Sequence, residues 1–390
     1  MTEEKIQRHD WRDIFCAFKM AFDPKRMFLG YAAILASLIW CIAATAVFSS
    51  LKLFNVTPSV FINLVLSPAK EGLPVIFRNI VSAAVPFNIG EFFAFTVIAF
   101  GLLAIWSFAG GAITRIASLD YAIDQSVRLI DVLKFSRKKF WSYFWSPLVP
   151  VIGVLFFALC NVAVGFIGRV PVFGEILIAL SFPLILISGF SLAFIGIVGV
   201  LGLCFMLPTI SAEGSDAFDA MGRAYSYVLS RPKKFILYSS INILYGIACL
   251  MLVAFVAWLM IRLSFYTLGL GMGQKFAMAE SHILQRCSIA CLGFCSMHSY
   301  EGTMPASSLN WSLQFLSYVL IAYIFSIKLA VWTFVATYLF SAKTIIYFLL
   351  RQEVDSTVVN DVYLEEEEKP LQTKGENSKE NQSSEAGSKP

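Results

Sequence analysis

Six long blocks of apolar residues, separated by polar and basic segments, dominate the pattern of this chain. Five blocks contain no charged residue, and the sixth is interrupted only by Lys328. A bilayer core of about 30 Å is crossed by about 20 helical residues, and every block reaches that length. The blocks cover residues 27–48, 92–113, 143–167, 176–208, 235–261 and 315–341. A helix in water needs one polar face, so the pattern predicts an all-α integral membrane protein with six transmembrane helices.

Composition agrees with a membrane location. Of the 390 residues, 58% are hydrophobic and 14% are charged, whereas soluble domains are closer to a quarter charged. The block over 176–208 exceeds one bilayer crossing, so we expect it to tilt, to project beyond the membrane, or to break near Pro183 or Gly189. The segment 72–90 is apolar enough to enter the membrane, but six spans fit the pattern better than seven or eight.

The distribution of Lys and Arg predicts the orientation. Segments 1–26, 114–142 and 209–234 together carry 16 of these residues, whereas the alternate segments carry 7 spread over more chain. Basic residues near span ends remain cytoplasmic. We therefore expect both termini in the cytoplasm.

A short stretch of the sequence occurs twice. Residues 122–143 and 217–238 overlay without gaps at a separation of 95, keeping an Asp, an Arg, a Lys-Lys-Phe and a Tyr in register. Each copy has an apolar stripe at helical spacing, then a basic cluster, then a span. A looser copy opens the chain, with its stripe over 14–22. Alternatively, the match is coincidental, because short patterns recur by chance.

The repeat predicts a membrane domain over 1–350 built from three parallel units, at about 1–113, 114–208 and 209–350. Each unit would be an interfacial amphipathic helix followed by a hairpin of two spans. Such a helix lies at the headgroup boundary, where its cations meet anionic lipid. The expected lipid contacts are the cations of the three basic clusters. They are Lys25, Arg26, Arg137, Lys138, Lys139, Arg231, Lys233 and Lys234.

The run from Ile210 to Ala224, with Glu213-Gly214-Ser215 followed by a helix that contains Arg223, resembles a segment of bacterial multi-pass domains. One example is the membrane domain attached to glycerophosphodiester phosphodiesterases. The resemblance covers about residues 195–240 and implies a helical inner-membrane domain. The 390 residues contain no phosphodiesterase domain, so no catalytic role is carried over.

Lys328 is the candidate functional residue inside a span. A charged side chain at the bilayer centre costs about 2.5–3.5 kcal/mol on insertion scales, so such residues usually have a function. The alternative is that the span shifts along residues 311–350 and Lys328 reaches outward to the surface. Asn161 and Asn242 are single polar residues in other spans, and we expect them to hold helices together rather than bind a solute.

Cys287, Cys291, Cys295 and His298 would share one helical face. On a regular helix, Cys287 and Cys295 are about 12 Å apart, too far to bind one zinc ion at about 2.3 Å. A metal or redox role would need a break at Gly293; otherwise these residues form a weakly polar lining. We predict no cofactor, metal site, nucleic-acid partner or catalytic centre.

After Arg351 the chain becomes polar, with an acidic run over 365–368. Such composition predicts a disordered, acidic, cytoplasmic tail over 351–390, which either solubilises the protein or docks a basic protein partner. Together these features favour a lipid-contacting scaffold or accessory subunit. The alternative is a transporter or channel for a small or amphiphilic solute, with Lys328 on its path.

Overall fold

The computed structural model describes residues 10–51, 89–124, 127–286 and 310–364. In these ranges the regular secondary structure is entirely helical. A 3₁₀ turn over Trp11–Phe15 precedes the first α-helix. The helices are α1 (Cys16–Ala21), α2 (Pro24–Ser50), α3 (Ile89–Ile123), α4 (Leu129–Lys138), α5 (Phe140–Trp145), α6 (Leu148–Ile167), α7 (Phe173–Glu213), α8 (Ala217–Ser230), α9 (Pro232–Met272), α10 (Gln274–Arg286) and α11 (Trp311–Asp355).

Six helices are long and apolar enough to cross a membrane: α2, α3, α6, α7, α9 and α11. The prediction of an all-α membrane protein with six such helices is confirmed for the described residues. Most of the segment 72–90, which the sequence also allowed into the membrane, lies outside the described residues.

Helix α7 is longer than a bilayer crossing requires. It runs unbroken for 41 residues and contains both Pro183 and Pro208, so the break considered near Pro183 or Gly189 does not occur. At 1.5 Å per residue α7 is about 60 Å long, and α11, with 45 residues, is about 67 Å long. Both helices therefore extend beyond a hydrocarbon core of about 30 Å.

Short helices precede the first, third and fifth spans. Helix α1 leads into α2, helices α4 and α5 lead into α6, and α8 leads into α9. Pro24 and Pro232 each occupy the first turn of a span. The backbone N–H that proline lacks would have no partner within the helix at this position. The Asp23 carboxylate accepts a hydrogen bond from the Lys25 backbone N–H at 3.2 Å and caps α2.

The two copies of the repeated stretch differ in structure. Residues 217–230 form one helix, α8, after a break at Gly214, which has a φ of 64°. In the matching copy, α3 continues to Ile123, the chain breaks at Asp124 with a φ of 54°, and α4 starts at Leu129. The expected single helix of the middle unit is therefore divided, because its left-handed residue comes five positions later in the overlay.

One end of the bundle is here called the basic end. It contains the short helices α1, α4, α5 and α8, residues 356–364 and the adjoining ends of the spans. The largest core cluster lies there, and its members come from the N-terminal segment, α1, α3, α7, α8, α9, α11 and the C-terminal segment. Ile14, Met206, Ala342 and Leu350 are among its fully inaccessible residues. The basic end is thus where α3, α7, α9 and α11 pack into one cluster with the N-terminal segment and residues 356–364.

Away from the basic end the spans pack mainly in pairs. Helix α2 packs against α3, α6 against α7, and α9 against α11 with α10 beside them. The α6–α7 pair is the most exposed. Pro150 is the one buried residue of α6, and in α7 none is buried between Gly174 and Val198. The apolar surface of the α6–α7 pair must therefore be covered by lipid or by protein.

Gly111 marks a close approach between α3 and α5. A Cβ atom at this position would lie 2.7–2.9 Å from the ring of Tyr143, a residue with no exposed surface. The rigid ring has no open side toward which it could move. Overpacking of this kind costs about 1–3 kcal/mol.

We therefore expect Gly111→Ala to lower the apparent melting temperature of the detergent-solubilised protein by several degrees. The matched control is Gly222→Ala in α8, where no atom lies within 4 Å of the new Cβ and alanine favours the helix. Thermal unfolding followed by intrinsic fluorescence compares the two variants. Equal melting temperatures would contradict the packing described at Gly111.

Candidate functional site

Three arginines are buried at the basic end. Arg26, Arg115 and Arg351 are 1%, 4% and 6% exposed. A guanidinium remains charged and carries five N–H donors, so its burial is stable only when acceptors and counter-charges surround it. The acceptors of these three arginines show which parts of the chain the basic end holds together.

Arg26 joins α1, α2 and α3. Its Nη1 donates to the Met20 carbonyl oxygen at 2.7 Å, at the end of α1. Its Nη2 forms an ion pair with Asp120 of α3 at 2.5 Å, and its Nε lies 3.5 Å from the Asp23 carboxylate. The start of the first span is therefore fixed to the end of the second span.

Arg115 joins α3 to α7 and to the C-terminal segment. It donates to the carbonyl oxygens of Ser211 at 2.5 Å and of Tyr363 at 2.7 Å. Its guanidinium carbon lies 4.2 Å from the centre of the Phe135 ring of α4, a distance at which a cation–π attraction operates. Thr114 adds a hydroxyl hydrogen bond to Ser211 at 2.6 Å.

Glu213, at the end of α7, is the anionic centre of the basic end. Its side chain is 8% exposed and forms ion pairs with Arg351 of α11 at 3.1 Å and with Arg223 of α8 at 2.6 Å. The Tyr347 hydroxyl donates to the same carboxylate at 2.7 Å. One buried carboxylate thus orients three helices.

A second set of tyrosine–carboxylate contacts lies at the end of α11. The Tyr227 hydroxyl of α8 donates to Asp355 at 2.6 Å. Burial, followed by the nearby carboxylates of Asp355 and Glu213, raises the pKa of Tyr227 above its usual value. Tyr227 therefore remains a protonated donor at physiological pH. The Tyr238 hydroxyl and Lys234 both contact Glu353, each at 2.8 Å.

Residues 351–364 are part of the basic end, which corrects the expectation of a disordered tail starting at 351. Helix α11 continues to Asp355, and Val359 and Val362 are 4% and 8% exposed. The Tyr363 backbone N–H donates to the Ala212 carbonyl at 2.8 Å, and Arg351 donates to the Asp361 carbonyl at 2.7 Å. These contacts offset the polar composition on which the expectation rested. Residues 365–390 lie outside the described residues.

The expected lipid contacts divide into two groups. Arg26 is buried among its own carboxylates, so the structure removes it from the set that could reach a headgroup. Lys25 is half-buried and donates to the Val127 carbonyl at 2.7 Å. Lys139 lies 3.7 Å from Asp216, and Lys234 pairs with Glu353. The remaining four cations, Arg137, Lys138, Arg231 and Lys233, are exposed.

Lys328 is fully buried in α11. Two contacts show which part of α11 lies beside the start of α2. Arg26 approaches Ser341 at 3.5 Å, and a Cβ on Gly30 would lie 3.0 Å from Thr333. Lys328 precedes Ser341 by 13 residues, or about 20 Å of helix. A bilayer core that starts near Arg26 therefore includes Lys328 in its interior. Ile324 and Val331, near it along α11, pack with α9 and α10.

Sequence reasoning located the exposed cations and Lys328 but missed the ionic partners inside the basic end. Arg115 follows the second apolar block, Glu213 the fourth and Arg351 the sixth, and each lies in the same helix as the block that it follows. That shared position is the signal that could have identified them, since a charge at a helix end inside a bundle needs a partner. Cys287, Cys291, Cys295 and His298 lie outside the described residues.

Comparisons with known proteins yield no match to a family model, to a curated protein or to a solved structure.

We expect Arg26→Met to destabilise the protein by about 1–3 kcal/mol, because it leaves the Asp120 and Asp23 carboxylates and the Met20 carbonyl without their donor. Arg137→Met, which changes an exposed cation, is the matched control and should shift stability by less than about 0.5 kcal/mol. Size-exclusion chromatography after a series of heating steps gives the apparent melting temperature of each. If both variants have the melting temperature of the wild type, Arg26 does not hold α1, α2 and α3 together.

Residues 356–364 should contribute to stability. We expect a chain ending at Asp355 to lose about 3 kcal/mol or more, because Arg115 and the Ala212 carbonyl each lose a partner. A chain ending at Leu364 keeps every contact described here and is the control. The same heating assay should give a lower melting temperature for the first truncation alone. An equal loss of stability in the two truncated chains, or no loss in either, would contradict the contribution of residues 356–364 to stability.

Proposed function

We propose that this six-span membrane protein is a non-catalytic, lipid-contacting scaffold or accessory subunit of a bacterial inner membrane, with the basic end facing the cytoplasm. The observation that supports this most directly is the use of its buried charges. Arg26, Arg115, Glu213 and Arg351 contact one another's helices, and their evident task is to hold the basic end rigid. The groups that remain outside include the exposed cations, aromatic rings and apolar helix faces.

The exposed cations support contact with anionic headgroups. Arg137 and Lys138 end α4, and the exposed Trp141 and Trp145 follow in α5. Tryptophan prefers the boundary between hydrocarbon and headgroups, and cations there attract anionic lipid. Arg231 and Lys233 lie at the corresponding place at the start of α9. Together these residues mark a cationic rim around the basic end.

The three-unit organisation also belongs to this proposal. A short helix, a basic cluster and a pair of mutually packed spans occur in residues 1–113, 114–208 and 209–350. Such like-oriented units would be related by an axis along the membrane normal. The resemblance to the membrane domain attached to glycerophosphodiester phosphodiesterases favours the same location. The acidic run over 365–368 is the proposed docking point for a basic protein partner.

The second candidate is a transporter or channel, and Lys328 is the observation that favours it. Its ammonium group lies about 20 Å along α11 from the level of Arg26, inside the proposed hydrocarbon core. Burying an ammonium there is costly, and chains retain such residues where a solute or ion passes. Under the scaffold proposal, Lys328 serves only to hold α11 in place.

Exchange of the four exposed cations for glutamine (R137Q, K138Q, R231Q and K233Q) should reduce the anionic lipid that remains bound. We expect mass spectrometry of the protein purified in mild detergent to find at least about threefold less co-purified anionic phospholipid, since each cation near the surface contributes about 1 kcal/mol. Melting temperature should be preserved. The control exchanges an equal number of basic residues from the sequence segments that alternate with the three basic ones: K52Q, K70Q, R78Q and R169Q. Unchanged lipid content in the rim variant would overturn the lipid-contacting role.

Lys328→Leu separates the two candidates. Liposomes that contain the purified protein are loaded with a panel of small cations, anions and amphiphilic dyes, and efflux is measured. We expect no protein-dependent flux from the wild type and none from Lys328→Leu. A flux that the wild type supports and Lys328→Leu abolishes would establish the transporter and reject the scaffold. Lys328→Arg, which keeps the charge, is the control for loss of folding.

A further inference from the structure

A cavity of about 410 Å³ lies between α9 and α10. Its volume falls within the range of about 300–1,000 Å³ that is usual for small-ligand sites. Among its lining residues, Arg262 of α9 and Glu280 of α10 are charged, whereas Leu263, Tyr266 and Leu270 are apolar or aromatic. The cavity therefore combines a cation, an anion and apolar surface.

The local fold holds Glu280 beside this face of α9. Helix α9 ends at Gly273, whose φ of 58° suits a residue without a side chain, and α10 then packs against α9 and α11. The ring of Phe276 meets the ring of Phe265 edge-on, with centroids 5.4 Å apart. Ile283, further along α10, has no exposed surface. The cavity is therefore bounded by two helices that are packed together.

The cavity lies about one bilayer thickness from the basic end. Asn242 of α9 accepts a hydrogen bond from the Tyr338 hydroxyl of α11 at 2.9 Å. This pair is one turn from Ser341, which approaches Arg26. Arg262 follows Asn242 by 20 residues of the same helix, or about 30 Å. A hydrocarbon core of about 30 Å that starts near Arg26 therefore ends close to Arg262, at the headgroups of the far leaflet.

The two charges of the cavity do not neutralise each other. Among the described residues, neither the Arg262 guanidinium nor the Glu280 carboxylate takes part in an ion pair or a hydrogen bond. A purely anionic ligand would leave Glu280 unpaired and repel it, and a purely cationic ligand would do the same to Arg262. The cavity is therefore complementary to a ligand that carries both charges.

The order of the two charges follows from the turn at Gly273. Arg262 precedes Gly273 by 11 residues, about 16 Å of helix, whereas Glu280 follows it by 7, about 10 Å. Even if α10 returns fully antiparallel to α9, the backbone at Glu280 is about 6 Å farther from the bilayer centre than the backbone at Arg262. The cation is therefore the deeper group and the anion is the outer one.

We propose that this cavity binds the headgroup of a zwitterionic phospholipid with a primary ammonium, of the phosphatidylethanolamine class, in the leaflet opposite the basic end. In such a lipid the phosphate adjoins the glycerol and the ammonium lies farther out, which is the order of Arg262 and Glu280. The guanidinium donates to two phosphate oxygens, and the carboxylate accepts from the ammonium. The exposed Leu263 and Tyr266 offer apolar surface beside the acyl chains.

Other ligands match the cavity less well. An anionic phospholipid leaves the Glu280 carboxylate without a partner. Phosphatidylcholine carries a quaternary ammonium, which has no N–H to donate to that carboxylate. A water-soluble zwitterion has both charges but leaves Leu263 and Tyr266 uncovered. The proposed site is separate from the cationic rim and independent of the proposed function, because a scaffold and a transporter could both hold such a lipid.

The test counts lipids bound to the full-length protein by native mass spectrometry. Protein freed of lipid in mild detergent is titrated with phosphatidylethanolamine or phosphatidylcholine of identical acyl chains, since both are net neutral and the cationic rim does not separate them by charge. We expect the wild type to prefer phosphatidylethanolamine. Arg262→Gln and Glu280→Gln should each weaken its binding by about tenfold, because each removes a charge-assisted hydrogen bond. Lys275→Gln, an exposed cation of α10 outside the cavity, is the matched control and should bind as the wild type does.

A charge exchange tests the order of the two groups. Arg262→Glu combined with Glu280→Arg keeps both charges but inverts their depths, so the preference for phosphatidylethanolamine should be lost. Melting temperatures verify that the variants fold, and Arg262 is exposed, so its replacement should leave them unchanged.

Four results would overturn the proposal. The first is equal affinity of the wild type for phosphatidylethanolamine and phosphatidylcholine, and the second is unchanged binding in the two single variants or in the charge exchange. The third is an equal loss of phosphatidylglycerol from Arg262→Gln, which would indicate a general anion site. The fourth is competition by water-soluble phosphoethanolamine at the concentration at which the lipid saturates, which would indicate a site for a soluble solute.

Discussion

The basic end depends on one constraint, which is that a guanidinium removed from water must be surrounded by acceptors. Arg26, Arg115 and Arg351 meet this requirement mainly with partners in other helices and segments. Because a guanidinium presents its donors in a fixed planar fork, each contact also fixes the relative position of the helices that it joins. Removing one partner leaves a buried charge, so the arrangement is stable only when complete.

This constraint explains why the two regions of the bundle look so different. Apolar spans gain little by packing together, since lipid tails are as apolar as their side chains. Specific association of the spans must therefore come from polar contacts and close packing, and in the described residues these concentrate at the basic end. The α6–α7 pair, which projects from it with little burial, depends on what surrounds it in the membrane.

The sequence was sufficient for the six spans and insufficient for their partners. Block length alone predicted the six spans, because the thickness of the hydrocarbon core sets it. Arg26 and Arg137 looked equivalent, since both belong to a basic cluster before a span, yet one is buried among carboxylates and the other is exposed. Which cation meets Asp120 depends on how distant segments fold together, and one sequence does not contain that information directly. The order of residues 356–364 was missed for the same reason, as its contacts are to Ala212 and Arg115.

Tyr363 has a consequence for the order in which the protein is made. Its backbone N–H and carbonyl groups bind the Ala212 carbonyl and Arg115, although more than a hundred residues separate these sites in the chain. During synthesis α3 and α7 enter the membrane long before Tyr363 leaves the ribosome. Until then Arg115 and the end of α7 lack two of their final contacts. Closure of the basic end is therefore a late event that distinguishes finished chains from interrupted ones.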